Sequence, residues 1–348
     1  MRPARVLFFE HYDRVLCGSD AMRVPAKKKC QHDFWDAYKA ACCLFVPQNL
    51  MASPSSVMMP DRAVIAYEVL GSHLVGMALP LVLVSGMSAT RNDWRELGPC
   101  LAQSRPVLVY DHRGIGDSTY SSAQGTDEIT MESLARDLTF LIAHLQWPEV
   151  AICGFSMGVV QQMLLLPYLR SHPTALPFRV THVFLAGTRS AVLRDPQHGL
   201  QIRPTNVPRT PAERKELIRR TLQATFDPSW LHANSARFDH ILYDTIHGRS
   251  PRPPATIEKQ RKALQGFDFE ALLPNISRNI RVLVIHGQHD QVIPFRCSQE
   301  MLRRIPGARF VELGNKPGQV PSLAFGHHWF EYFDLSVWYN VVDVHLRT

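Results

Sequence analysis

Glu149-Val150-Ala151-Ile152-Cys153-Gly154-Phe155-Ser156-Met157-Gly158-Val159 is the stretch that decides the fold. Its first five residues read as a short apolar strand, and Val159 to Leu169 reads as a buried helix rich in Leu and Val. A serine on the turn between such a strand and helix must take up a strained backbone. The residues two positions to either side must then be small for the chain to pass, and Gly154 and Gly158 meet that need. The strain lifts the hydroxyl clear of the sheet, and the start of the helix offers a backbone N–H to an anion. The pattern G-x-S-x-G alone is weak; the flanking strand and helix give it weight.

A serine nucleophile needs a general base and an acid to orient that base, and after a turn of this kind they follow in the order serine, acid, histidine. Val282-Leu283-Val284-Ile285 is a fully apolar strand followed by His286-Gly287-Gln288-His289-Asp290, so Asp290 falls just beyond a buried strand. A helix over Cys297 to Ile305 comes next, then a strand over Arg309 to Leu313. Gly326-His327-His328 stands in the loop before a final aromatic helix. Ser156, Asp290 and His327 thus arrive in the required order, each on a loop at a strand end. Asp111 and Asp117 are expected to hold a turn together, and His286 and His289 to be structural.

At this point the chain resembles the α/β-hydrolase superfamily, in particular serine hydrolases such as esterases and enol-lactone hydrolases. Pro80 to Met87 looks like that family's third strand and oxyanion loop. Val107 to Ser118 looks like its next strand with a D-x-R-G-x-G-x-S turn, and Ile129 to Leu138 is similar to the helix before the nucleophile. The likeness covers roughly residues 60 to 345. It implies a mostly parallel eight-stranded sheet with helices on both faces and a helical cap inserted after strand six. It also implies that the backbone N–H groups of Met87 and Met157 receive the oxyanion, and Phe155 and Ser88 are expected to line the substrate pocket. Gly326-His327, with Glu331 four residues on, resembles the family's G-H-x-x-x-E pattern and favours His327 over His328 as the base. His328 should then point into the helix or to solvent. Three departures stand out: the oxyanion loop opens Ser85-Gly86 where the family has His-Gly, Val159 follows Gly158 where a small residue is usual, and the path from Leu313 to Gly326, with Asn315 to Gln319 in it, is longer than the family's.

The organisation follows from punctuation. Residues 1–50 form an extension outside the resemblance, with one amphipathic helix over Phe34 to Phe45. Residues 51–188 are the first part of the core, beginning at the strand Val64 to Val69. Strand Val180 to Gly187 is the sixth and the seventh begins near Arg281, leaving roughly ninety residues where a few would connect a strand to a helix. Within them Thr210-Pro211-Ala212-Glu213 is a capping box opening a helix through Ala224, with further helical pattern over Pro228 to Leu242 and Thr256 to Leu264. Residues 189–275 are therefore read as the cap, and 276–348 as the rest of the core.

Composition bounds the partners. The chain has 348 residues and a net charge of +7, but the basic residues are dispersed apart from Lys27-Lys28-Lys29, and no nucleic-acid-binding module is visible. No apolar run is long enough for a membrane helix, and Val6-Leu7-Phe8-Phe9 is too short for a signal-peptide core. The seven cysteines lack metal-ligand or disulfide-framework spacing, which fits a cytoplasmic protein with no metal or cofactor. The expected function is hydrolysis of a small or medium apolar ester or lactone through an acyl-enzyme. The alternatives are cleavage of a C–C bond or acyl transfer on the same residues, or a non-catalytic ligand receptor or scaffold. An epoxide hydrolase or dehalogenase is disfavoured because those members carry aspartate at the position of Ser156.

Overall fold

The structure is a computed structural model and describes residues 54–94, 96–195, 197–199 and 209–348. The extension 1–50, with its expected helix over Phe34 to Phe45, lies outside the described residues.

The apolar runs form strands whose alternate side chains feed two buried layers. β1 (Ser55–Met58), β2 (Val64–Leu70), β3 (Leu81–Val84), β4 (Val107–Tyr110), β5 (Glu149–Phe155), β6 (Arg179–Ala186), β7 (Arg281–Ile285) and β8 (Arg309–Phe310) build one sheet. Its eight strands run in the order β1-β2-β4-β3-β5-β6-β7-β8. β1 with β2 and β2 with β4 are antiparallel, and from β4 to β8 all neighbours are parallel. Val82, Val84, Ile152, Val183 and Val284 enter one core cluster, while Leu81, Leu83, Cys153, Phe184 and Ile285 enter the other.

Helices cover both layers. α1 (Leu97–Leu101), α2 (Met131–His144) and α3 (Val159–Leu165) precede β6. α4 (Pro211–Gln223), α5 (Pro228–Ala233), α6 (Ser235–His247) and α7 (Pro254–Ala263) lie between β6 and β7, and α8 (Arg296–Arg304) and α9 (Leu335–Leu346) follow β7. α2, α3 and α8 pack Leu138, Met163 and Met301 on one face; α1 and α9 pack Leu97 and Trp338 on the other. The α/β sheet with helices on both faces is the one the sequence implied. Among the described residues no helix is long and apolar enough to cross a membrane.

Strand order locates the crevice. The chain leaves β3 for β4 on one side, while β5 lies on the other side of β3. Loops leaving β3 and β5 therefore diverge at the carboxyl ends of these strands, the place where open α/β sheets hold their ligands. Local signals set the helix starts: Thr130 Oγ1 accepts from Ser133 N–H at 3.0 Å and Ser133 Oγ from Thr130 N–H at 2.9 Å. Thr210 and Glu213 make the same reciprocal cap on α4, with Pro211 at its first position.

Three elements differ from the sequence expectation. β1 lies ahead of the strand from Val64, the first expected from the sequence; only one of its four residues is buried, so it exists through pairing with β2. The helical run after Pro228 breaks at Asn234 into α5 and α6, letting Phe226, Trp230 and Phe238 form a small core of their own. The strand expected over Arg309 to Leu313 divides at Val311, whose N–H makes the last bond to β7, at Val284 O (2.9 Å). The next residues form β9 (Glu312–Leu313), paired parallel with β10 (Gln319–Val320) inside the long loop before His327.

Trp338 is fully buried among Trp329, Phe325 and Phe333, with ring centroids 4.6, 5.6 and 5.6 Å away. Trp338→Ala is expected to cost about 3–5 kcal/mol. Urea unfolding monitored by circular dichroism checks this, and a loss below about 1 kcal/mol would mean the aromatic cluster closes around the gap.

Candidate active site

The serine turn is built by steric exclusion. Ser156 sits just past β5 at φ +67° and Gly158 at φ +84°. A Cβ on Gly154 would lie 2.7 Å from Val160 Cγ2, and one on Gly86 would lie 2.9 Å from Ser156 Cβ. Small residues are therefore required both beside the serine and in the facing β3 loop. Ser156 N–H donates to Ala186 O at 3.1 Å, and Thr188 Oγ1 donates to Ser156 O at 2.8 Å. These two bonds from the end of β6 hold a strained residue from both sides. Val159, the first residue of α3, is buried in the core.

Ser156, His327 and Asp290 are brought into one line of hydrogen bonds. His327 Nε2 lies 3.0 Å from Ser156 Oγ, and His327 Nδ1 lies 2.8 Å from Asp290 Oδ2. The carboxylate partner places the imidazole proton on Nδ1, which leaves Nε2 to accept from the serine. Asp290 is 2% exposed, and burial alone would raise its pKa. His327 and His286 outweigh that effect and hold the carboxyl well below the ordinary carboxylate range. Val292 N–H and Ile293 N–H donate to its other oxygen at 2.8 and 2.9 Å. His286 is fully buried, with Nε2 at 2.9 Å from Ile293 O and 3.2 Å from Asp290 Oδ2; His289 is exposed.

Backbone bonds lock the acid loop to the histidine loop. Gln288 N–H donates to Leu323 O at 2.8 Å and His289 N–H to Phe325 O at 3.1 Å. A Cβ on Gly287 would run into the Phe325 carbonyl, so glycine is needed for this approach. Glu331, four residues after His327, forms a forked pair with Arg237 of α6 at 2.9 and 2.8 Å. His328 departs from expectation: it faces the inserted helices, with Nδ1 at 2.7 Å from Thr225 Oγ1 and its ring stacked on Phe226 at 5.0 Å. The imidazole bonded to Ser156 Oγ is that of His327, not His328.

The loop after β3 is steadied by residues that sequence reasoning did not single out. His112 Nε2 bonds Ser85 O at 2.9 Å, and Trp94 Nε1–H donates to Ser85 Oγ at 2.8 Å. A ring contact to this loop thus exists, supplied by the D-x-R-G turn across the strand. In the sequence His112 is simply the x of the D-x-R-G turn, and nothing local links it or Trp94 to Ser85. Asp111, fully buried, accepts from Arg91 N–H at 2.7 Å and Asp117 N–H at 3.0 Å, and Arg91 also binds both carboxylates. These aspartates hold the turn. Of the two expected oxyanion donors, Met87 N–H has no hydrogen bond among the described residues, while Met157 N–H closes a tight turn onto Phe155 O at 2.9 Å. That turn is centred on Ser156, a strained arrangement whose bent bond leaves the hydrogen able to be shared. Phe155 packs against the His327 ring at 4.9 Å and Trp94 at 6.1 Å, and Ser88 lies partly buried at φ +62°. A cavity of about 680 Å³ opens elsewhere, beside the start of α2 between Asp127, Gln162, Lys259 and Phe267, and Ser156 is not in its lining.

The sequence pattern described as alpha/beta hydrolase fold matches residues 80–316. The chain is 26% identical over 281 residues to the "Putative carbamate hydrolase RutD" of Caulobacter segnis, covering 78% of this chain and 91% of that protein. It is 24% identical over 258 residues to the pimeloyl-[acyl-carrier protein] methyl ester esterase of Vibrio atlanticus, covering 73% of this chain and 93% of that protein. In structure it resembles the enol-lactonase of Burkholderia xenovorans LB400, with TM-score 0.61 and 19% identity over 84% of this chain and all (100%) of that one. At that identity the last likeness speaks for the fold.

Burial lowers the pKa of His112 and of His345 to about 4 each, from 6.5. The unfolded chain therefore binds protons at these sites before the folded chain does. Their stabilising contribution is complete above pH 6.5 and declines as pH falls from 6.5 toward 4, by up to ~1.4 kcal/mol per pH unit for each imidazole. Urea midpoints measured between pH 7.5 and 4.5 should fall along that range, and a flat profile would exclude both imidazoles from the acid response.

Proposed function

Since the chain belongs to the alpha/beta hydrolase fold family, we propose that it is a serine hydrolase cleaving a small or medium apolar ester or lactone through an acyl-enzyme. The observation that carries this reading is the unbroken line from Asp290 through His327 to Ser156, at 2.8 and 3.0 Å, on a turn where the serine is held at positive φ. In the proposed mechanism Ser156 Oγ attacks the carbonyl carbon while His327 Nε2 takes its proton. The imidazolium is stabilised by Asp290, whose buried carboxylate stays charged, and the proton passes to the leaving oxygen. Water then repeats the cycle on the acyl-enzyme.

Charge developing on the carbonyl oxygen calls for donors already in place. Met87 N–H is the better placed of the two, because among the described residues it has no partner to leave; Met157 N–H would relinquish part of its bond to Phe155 O. Phe155, Met87 and Met157 give the acyl side an apolar character, and Ser88 borders it. Residues 189–275 act in this proposal as a cap that excludes water and shapes the pocket.

Support for ester cleavage also comes from the esterase relative, and support for a second reading from the relative named for carbamates. A carbamate carries the same carbonyl with a nitrogen substituent, so the same residues would serve it. The substrate is in either case a small molecule.

Hydrolysis of p-nitrophenyl esters from acetate to decanoate, set beside a p-nitrophenyl carbamate, tests both. Esters are expected to turn over faster, with an optimum at short or medium chain, and Ser156→Ala should lose on the order of 10⁶ in kcat. Preferential carbamate turnover would install the second reading. A folded wild type without activity on either would sink the serine-hydrolase assignment.

A further inference from the structure

Two side chains from the segment between β6 and β7 reach the loop that carries Met87. Gln260 of α7, fully buried, accepts through Oε1 from Ser88 N–H at 2.9 Å. Arg252, just before α7, donates from Nη1 to Ser88 O at 2.7 Å and forks onto Asp93 at 2.9 and 2.8 Å. Asp93 in turn accepts from Thr90 N–H at 2.8 Å, so the same guanidinium ties down both ends of the segment from Ser88 to Asp93.

The loop has little of its own to hold it. Its internal bond, Ala89 N–H to Gly86 O, is long at 3.4 Å, and Ser88 sits at φ +62°, a conformation that a serine rarely keeps without outside support. His112 and Trp94 secure only Ser85, upstream of the bend. Gly86 is pressed against Ser156. Met87 therefore lies between a neighbour fixed by contact with the nucleophile and a neighbour whose N–H and C=O are both taken by the insertion. The amide of Gln260 has one orientation that serves: its oxygen must face the Ser88 donor.

We propose that Gln260 and Arg252 are positioning residues for the oxyanion hole, fixing both polar groups of Ser88 and so setting the direction of the Met87 N–H. This rests on the serine-hydrolase reading of Ser156 and Met87. It makes the hole complete only while the inserted helices are seated on the core, which couples closure to reactivity.

Gln260→Leu and Arg252→Ala, made in the full chain, test the assignment; Arg252 is partly exposed and its variant keeps the test open if the buried Gln260→Leu does not fold. Three quantities are read: kcat and KM on the best p-nitrophenyl ester, inhibition by an alkylboronic acid that forms a tetrahedral adduct on Ser156, and hydrogen exchange of the Ser88 amide. A displaced oxyanion donor should lower kcat by about 10-fold or more with KM within about twofold, and weaken the boronic acid by a similar factor. The Ser88 amide should exchange faster in Gln260→Leu. Unchanged kcat and boronic acid affinity in the folded variants would overturn the proposal, as would a rise in KM with kcat intact, which would signal simple substrate binding. If the wild type turns over neither ester nor carbamate, the serine-hydrolase reading fails by itself. Amide exchange still decides the latch in that case, and wild-type Ser88 protection in Gln260→Leu overturns it.

Discussion

A serine held at φ +67° is the constraint on which the rest of this structure depends. Such a backbone persists only where the surroundings leave no relaxed alternative. Here the turn is gripped from β6 by Ala186 O and Thr188 Oγ1, pressed by Gly86 from the β3 loop, and followed at once by the buried start of α3. The sheet order is what brings these elements together. β3 and β5 are neighbours whose following loops part company, so the serine stands at the point where the strand order reverses.

The second demand is electrostatic. A carboxylate that is 2% exposed would ordinarily be pushed toward its neutral form. Asp290 is kept charged by two backbone N–H donors and two imidazoles, and each of these comes from a segment that is itself anchored. His286 is fixed to Ile293 O, and the loop bearing His327 is bonded to the Asp290 loop through Leu323 O and Phe325 O. Removing the charge would therefore disturb the positions of several groups together.

The helices between β6 and β7 are wired into the same parts. Thr225 O receives both His327 N–H and His328 N–H, Arg237 grips Glu331, and Gln260 and Arg252 hold Ser88. The insertion has its own aromatic core of Phe226, Trp230 and Phe238, and some of its polar contacts run to the loops that carry His327 and Ser88. An arrangement of this kind ties the geometry around Ser156 to the seating of a segment far from it in sequence.

Much of this was legible in the chain because it is local. Gly154 and Gly158 around Ser156, the continuous apolar runs of the strands, and the cap at Thr210 each act over a few residues, so sequence alone determined the α/β class, most strand positions and the serine-to-histidine order. What sequence could not decide depends on partners remote in the chain. β1 exists only through β2, Val311 marks where pairing with β7 ends, and His328 turns toward Thr225 because the insertion lies there. The contacts of His112, Gln260 and Arg252 with the β3 loop likewise join segments that no periodicity connects. Short-range sterics are written in neighbouring residues, whereas a hydrogen bond between distant segments is decided only when the sheet order brings its donor and acceptor together.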